Sequence, residues 1–106
     1  AVQLTPKMLY TLALCSSYRN QHEKSLELCK RSLNLAIKRD DQEGMSHAIL
    51  GMAISYYHLD HLQDSLKEIY NLQIVMNILE LSQVRLSSQI LKGQILRKMK
   101  KFDQAL

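Results

Sequence analysis

The stretch from Ile49 to Leu72 reads ILGMAISYYHLDHLQDSLKEIYNL, and its pattern decides the fold. In each half, apolar residues recur at intervals of three and four, which places them on one face of a helix. The first stripe comprises Ile49, Met52, Ala53 and Tyr56, and the second comprises Leu62, Leu66, Ile69 and Leu72. Asp60 and His61 predict a very short turn between the two stripes, so the two helices are expected to be antiparallel neighbours. The small residues Ala53 and Ser65 predict the place where the two helices cross.

The same hairpin recurs forty residues before and forty residues after this stretch. Ser25, Ser65 and Ala105 align at this offset. Ala13, Ala53 and Gly93 align as well, and both Ala53 and Gly93 are predicted to face inward where helices cross. A fixed period without drift is typical of helical repeat proteins, in which each helix pair packs against its neighbours.

Residues 56–66, YYHLDHLQDSL, resemble the centre of a tetratricopeptide repeat, in which an aromatic residue ends the first helix and a small residue opens the second. Residues 101–106, KFDQAL, are similar to the family's run of an aromatic residue, an acidic residue, any residue, Ala and a hydrophobic residue. The resemblance covers nearly the whole chain. Leu9, Ile49 and Gln89 stand where the family has Trp, and the forty-residue period exceeds the usual length of about thirty-four. This long period is similar to the repeats of kinesin light chains and of bacterial peptide-sensing regulators.

The resemblance implies an all-α fold, a right-handed α-solenoid of antiparallel helix pairs about two and a half repeats long. The repeats are predicted to cover residues 6–40, 41–81 and 82–106 of one unit spanning residues 1–106, the last repeat being truncated.

Local signals predict where the helices begin and end. Thr5 before Pro6 predicts the start of the first helix. The capping box from Asp40 to Glu43 predicts the start of the third. A fifth helix is predicted to end near Met99, followed by a turn at Lys100 and Lys101 and a sixth helix that is cut short. An isolated turn of helix is unstable, so we expect the chain to be part of a longer array.

In a two-helix repeat, the first helix of each pair lines the concave side. We expect this side to bind a peptide or helix of a partner protein, because a row of solvent-facing apolar residues usually marks a partner surface. The predicted partner-binding residues are Tyr10, Leu14, His47, Leu50, Ile54, Tyr57, His58, Ile90, Gln94 and Arg97. Ser17 and Gly51 are expected beside them. The alternative is that a neighbouring helix of the intact array fills this groove.

Two features concern the charge of the partner. Chaperone-binding members of the family hold a C-terminal carboxylate with Lys and Asn, but no cation stands at the matching positions here, which are Tyr10, Leu14, Gly51, Ile90 and Gln94. A basic cluster lies at Arg97, Lys98, Lys100 and Lys101. It is either a solvated turn or a contact for an acidic partner.

The composition argues against several other classes of protein. The formal net charge of +4 is modest for a nucleic-acid binder, and no apolar run approaches the length of a membrane span. No Gly-rich phosphate loop is present, and the His residues are too far apart for shared ligation, so we expect no enzyme, no cofactor and no metal site. Cys15 and Cys29 both fall on predicted apolar faces. Two buried free thiols indicate an intracellular, cytoplasmic protein, with a disulfide as the alternative.

The leading functional hypothesis is a protein–protein interaction scaffold. The alternatives are a peptide-sensing regulatory domain of a transcription regulator and an assembly element of a multiprotein complex. A solenoid repeat buries its apolar stripe only against its neighbours, so we also expect the stripe of Leu86, Gly93 and Leu96 to stay open and to drive self-association through the repeat ends.

Overall fold

The computed structural model describes residues 4–79 and 82–105, with side chains described over residues 4–76 and 86–104. Within these ranges the only regular secondary structure is α-helix, which confirms the prediction of an all-α chain. The five helices are α1 (Pro6–Tyr18), α2 (His22–Lys38), α3 (Gln42–His58), α4 (Leu62–Leu79) and α5 (Ser82–Ala105). The predicted repeat boundary at residue 81 lies outside the described residues, and so does Leu106, the last residue of the run KFDQAL.

Side-chain caps begin α1 and α3. The hydroxyl of Thr5 accepts the Met8 N–H at 3.1 Å, with Pro6 at the first helical position, as predicted. The cap of α3 is Asp41, which accepts the Gly44 N–H at 2.9 Å. The predicted capping box starting at Asp40 is therefore wrong by one residue, because Asp40 adopts a left-handed conformation and belongs to the preceding turn.

The first three turns share one backbone geometry. Asn20, Asp40 and Asp60 have φ angles of 61°, 52° and 62°, the left-handed region in which Asn and Asp are the best tolerated residues after Gly. The next residue in each turn donates its N–H to a carbonyl five positions back, at 2.9 Å in all three turns. These are Schellman motifs, which satisfy the free carbonyls at a helix end. One such turn occurs every twenty residues, so a pair of helices repeats every forty residues.

The helices pack in sequence order around α3. Each helix contacts the next, and α3 also contacts both α1 and α5. The molecule measures 53 × 31 × 18 Å. Its thickness of 18 Å fits two layers of helices, since a helix with its side chains is about 10–12 Å across.

Small polar residues mark the places where helices cross. The Ser65 hydroxyl of α4 donates to the Ala53 carbonyl of α3 at 2.6 Å, and both residues are fully buried, which confirms the predicted crossing. A second contact joins α3 to α2, where the hydroxyls of Ser55 and Ser25 lie 3.2 Å apart. Buried hydroxyls need such partners, because an unpaired one costs about 1–3 kcal/mol.

Helix α2 buries a stripe made only of small side chains, which lets its neighbours approach closely. The stripe comprises Ser25, Cys29, Ser32 and Ala36. Gly51 of α3 lies directly opposite Cys29. A Cβ atom at Gly51 would lie 2.5 Å from the Cys29 sulfur and 3.1 Å from Cε1 of Tyr10, so three helices meet at this glycine.

Two large apolar residues, Leu12 and Ile37, and one predicted inward position, Gly93, are exposed. Leu12 is 50% exposed, whereas Met52, forty residues later, is buried beside Cys29 of α2. Within the described chain, no helix covers the corresponding side of α1. Ile37 is also exposed, because the buried stripe of α2 passes through Ala36 instead. Gly93 is exposed rather than buried at a crossing, and a Cβ atom there would meet nothing within 4 Å.

Helix α5 is longer than predicted. It continues without a break through Lys100 and Lys101 to Ala105, so the predicted turn and the truncated sixth helix are wrong within the described residues. Lys100 stands forty residues after Asp60, at the position that is left-handed in the first three turns. Lys lacks the short polar side chain that makes Asn and Asp tolerant of that conformation, so the helix does not end there.

We expect Gly51→Ala to lower the free energy of unfolding by roughly 1–3 kcal/mol, because the added methyl group overpacks the contact with Cys29. Gly93→Ala is the matched control. It should stabilise the fold by roughly 0.5–1 kcal/mol, because Ala is the better helix former and the space is open. Urea unfolding monitored by circular dichroism measures both. Equal stabilisation by the two substitutions would show that α2 and α3 do not meet closely at Gly51.

Candidate partner-binding surface

A first cleft lies between α1 and α3. It has a volume of about 500 Å³, and Tyr10, Leu14, Glu43 and His47 contribute to its walls. The other lining residues are Pro6, Lys7, Thr11, Asp41 and Gly44. We call it the α1–α3 cleft. It brings together three of the predicted partner-binding residues, namely Tyr10, Leu14 and His47.

Two of the residues that line the α1–α3 cleft form an aromatic pair. The rings of Tyr10 and His47 lie 5.4 Å apart in a tilted arrangement. Nε2 of His47 also lies 3.8 Å from the Glu43 carboxylate, one turn earlier on α3. Burial is the main cause that raises the pKa of Tyr10, with smaller contributions from Cys29 and Tyr18. The phenol therefore stays protonated near neutral pH.

A second cleft, of about 450 Å³, lies between α3 and α5. Tyr57 of α3 lines one side, and the residues from α5 are Gln94, Arg97, Lys98, Lys101 and Phe102. We call it the α3–α5 cleft. It also unites three predicted partner-binding residues, which are Tyr57, Gln94 and Arg97.

Lys98 connects α5 to the end of α3. Its ammonium group lies 2.5 Å from the Asp60 carboxylate and donates to the Tyr57 carbonyl at 3.3 Å. The same nitrogen lies 4.4 Å from the centroid of the Tyr57 ring, within the range of a cation–π interaction. Because the Asp60 side chain is 58% exposed, solvent screens the ion pair, and its main effect is to position these groups.

Two imidazoles stack next to this point. The rings of His22 and His58 lie 4.5 Å apart and are nearly parallel, and the rings of Tyr57 and His58 form a T-shaped pair with 5.3 Å between their centroids. Desolvation is the main cause that lowers the pKa of His58, followed by the proximity of His22 and Lys98, while Asp60 opposes them. Although His58 remains exposed overall, the stacked side of its ring is shielded, so the neutral ring is favoured at neutral pH.

The structure places the other predicted site residues differently. Leu50 is only 6% exposed and belongs to the core, so its assignment to an open groove is wrong. Gly51 is buried for the same reason, since α1 and α2 cover it. Ile54 is half-buried against the core, whereas Ile90 is exposed on α5 and lines neither of these two clefts.

The sequence indicates the basic cluster but not its position on one helix face together with Phe102. The predicted turn at Lys101 would place Phe102 on the next helix, away from Arg97 and Lys98. The absence of Asn, Asp or Gly at position 100 is the signal that could have found it. Without a left-handed residue, α5 continues, and residues four apart share one face.

The two thiols differ in environment. Both are free, but Cys15 is exposed, so the prediction that it is buried is wrong. It stands forty residues before Ser55, which is buried because α2 covers it, and this side of α1 is uncovered within the described chain. Cys29 is buried as predicted, and burial raises its pKa to about 12 despite a hydrogen bond with Ser25 that lowers it.

In the described parts of the chain, no three His, Cys, Asp or Glu side chains come together as metal ligands would. None of the helices there combines the length and the apolar character needed to cross a bilayer.

Comparisons of this chain with known proteins found no match. No family model matches the chain, and neither a curated protein nor a solved structure matches it. In the described residues, the structure defines an all-α protein whose first four helices are joined by short turns. The resemblance to the tetratricopeptide repeat rests on the sequence of this chain alone.

We expect Cys15 to react rapidly with a thiol reagent such as DTNB in the native state, because it is exposed. Cys29 should react only on unfolding, since a buried thiol with a raised pKa supplies almost no thiolate. The absorbance of released thionitrobenzoate, followed for the parent and for Cys15→Ser, separates the two thiols. Equal rates for both thiols in the native protein would contradict the packing of α2 against α3.

Proposed function

We propose that this chain is a protein-interaction scaffold of the tetratricopeptide type, which holds a peptide or helix of a partner protein across α1, α3 and α5. The observation that carries the proposal is that two clefts lie along these three helices, and α3 contributes to both. Six of the ten residues predicted from the sequence to contact a partner line these clefts.

The packing of the helices supports a solenoid. Three identical turns at twenty-residue spacing give α1 and α3 equivalent positions in a repeat. The contacts of α3 with both α1 and α5 fit an inner layer of these three helices, with α2 and α4 in the outer layer. A right-handed superhelix of antiparallel pairs accounts for this order and for the flat shape.

The chemistry of the clefts supports a peptide as ligand. A peptide carries backbone donors and acceptors together with apolar side chains, and it needs partners for both. The α1–α3 cleft offers the Tyr10 hydroxyl, the His47 imidazole and the apolar Leu14, which is 37% exposed. In this proposal the chain has no catalytic role. The exposed free thiol of Cys15 favours a reducing compartment.

Selection of a random peptide phage library on the purified protein tests the proposal. Selected peptides should bind Tyr57→Ala and Leu14→Ala about tenfold more weakly than the parent, because each substitution removes a contact in one cleft. Circular dichroism confirms that each variant is folded.

The matched control is Tyr70→Ala, which removes an aromatic ring that is 47% exposed on α4. This variant should bind the selected peptides as the parent does. Failure to select any peptide, or an equal loss of affinity in Tyr70→Ala, would refute the groove as the binding surface.

A second candidate function, as an assembly element, is favoured by exposed apolar stripes on the two outermost helices. Met8 and Leu12 of α1 correspond to Ala48 and Met52 of α3, which are buried. Leu86 and Ile90 of α5 likewise correspond to Ser46 and Leu50, also buried in α3. In α1 and α5, therefore, the positions equivalent to those that neighbouring helices cover in α3 are exposed to solvent. We expect copies of the chain to associate through these exposed positions.

Sedimentation velocity at several concentrations tests this second candidate. We expect the parent to associate as its concentration rises, and Ile90→Glu to reduce association by placing a charge on the open stripe. Ile74→Glu is the control, because Ile74 is similarly exposed on α4. A monomeric parent, or an equal effect of both substitutions, would exclude association through α5.

A further inference from the structure

The continuation of α5 turns the basic cluster into an ordered surface. Arg97 and Lys101 are four residues apart on an unbroken helix, so they lie one above the other on the same face. Together with Lys98 they line the α3–α5 cleft. The predicted turn would have separated these cations, whereas the helix directs them into one cavity.

One of the three cations that line the cleft, Lys98, already pairs with a carboxylate. The Asp60 side chain contacts the Lys98 ammonium group, which lies over the Tyr57 ring. Asp60 uses only one of the three cations. Among the described residues, neither Arg97 nor Lys101 has an ion-pair partner, so the cleft carries uncompensated positive charge beside two aromatic rings, Tyr57 and Phe102.

We propose that the α3–α5 cleft binds an acidic segment of a partner peptide. Carboxylates of the segment pair with Arg97 and Lys101, and an apolar side chain next to them packs on Tyr57 and on Phe102, which is 49% exposed. This inference rests on the proposed function, since it names the chemistry of the peptide that enters the same groove.

The arrangement favours a carboxylate-bearing peptide over a nucleic acid. A guanidinium group binds a carboxylate through two parallel hydrogen bonds, and an ammonium group binds it as a point charge. A single-strand binder needs a groove of cations interleaved with aromatic rings over several nucleotides. Here the three cations and two rings occupy one cavity of about 450 Å³, the size of a few side chains.

Fluorescence anisotropy with two matched peptides tests the inference. The first is a fluorescein-labelled peptide in which Glu and Leu alternate, and the second has Gln in place of every Glu. We expect the Glu peptide to bind about tenfold more tightly, because each exposed ion pair contributes a few-fold in affinity. Added salt should remove most of this difference.

Paired variants locate the charge effect. Arg97→Gln with Lys101→Gln should abolish the preference, so that this variant binds the Glu and Gln peptides with equal affinity. The control is Arg31→Gln with Lys38→Gln, which removes one Arg and one Lys from a different cleft on the α1–α2 side. This control should keep the preference.

A charge-reversal variant provides a second test in case the Gln variants are unstable. Arg97→Glu with Lys101→Glu should prefer a labelled peptide in which Lys and Leu alternate. Equal binding of the Glu and Gln peptides, equal loss of preference in the control variant, or tighter binding of labelled oligothymidylate than of the Glu peptide would overturn the inference.

The two proposals fail separately. If library-selected peptides bind the groove but show no dependence on Arg97 and Lys101, only the acidic-segment inference is refuted. If neither selected nor designed peptides bind, the proposed function is refuted as well.

Discussion

The structure depends on a left-handed residue at the end of each of its first three helices. Asn20, Asp40 and Asp60 reverse the chain after the same number of residues, so equivalent positions of α1 and α3 recur at an offset of forty. Each reversal is closed by the same hydrogen bond from the following residue. Because Asn and Asp tolerate this conformation with little strain, the turns need no glycine. The order of helices, and therefore the side on which the clefts open, follows from this constraint.

Small residues then determine how closely the helices approach. Gly51 allows α3 to contact α1 and α2 at once, and the buried hydroxyls of Ser25, Ser55 and Ser65 find partners across the helix boundaries. Where α3 packs closely against its neighbours, the larger side chains, such as Tyr10 and Tyr57, lie at the edges of the helix–helix contacts. Those side chains line the two clefts, so the candidate site is a consequence of the packing of α3.

The sequence predicted the parts of the fold that depend on periodicity. Local signals gave the starts of α1 and α3 to within one residue, and the small residues Ala53 and Ser65 gave a true crossing. Periodicity assigns a face to each residue but does not say which neighbour covers that face. Leu50 and Ile90 occupy equivalent positions, yet one is buried and the other is exposed, because α3 has neighbours on more sides than α5. The end of α5 was missed for a different reason, since repeat alignment overrode the local preference of Lys100.

Hydrogen–deuterium exchange of the protein with and without a groove-selected peptide tests whether α1, α3 and α5 form one binding surface. Bound peptide should slow exchange in α1, α3 and α5 and leave exchange in α2 and α4 unchanged. Protection concentrated in α2 or α4, or protection of α5 without α3, would contradict it.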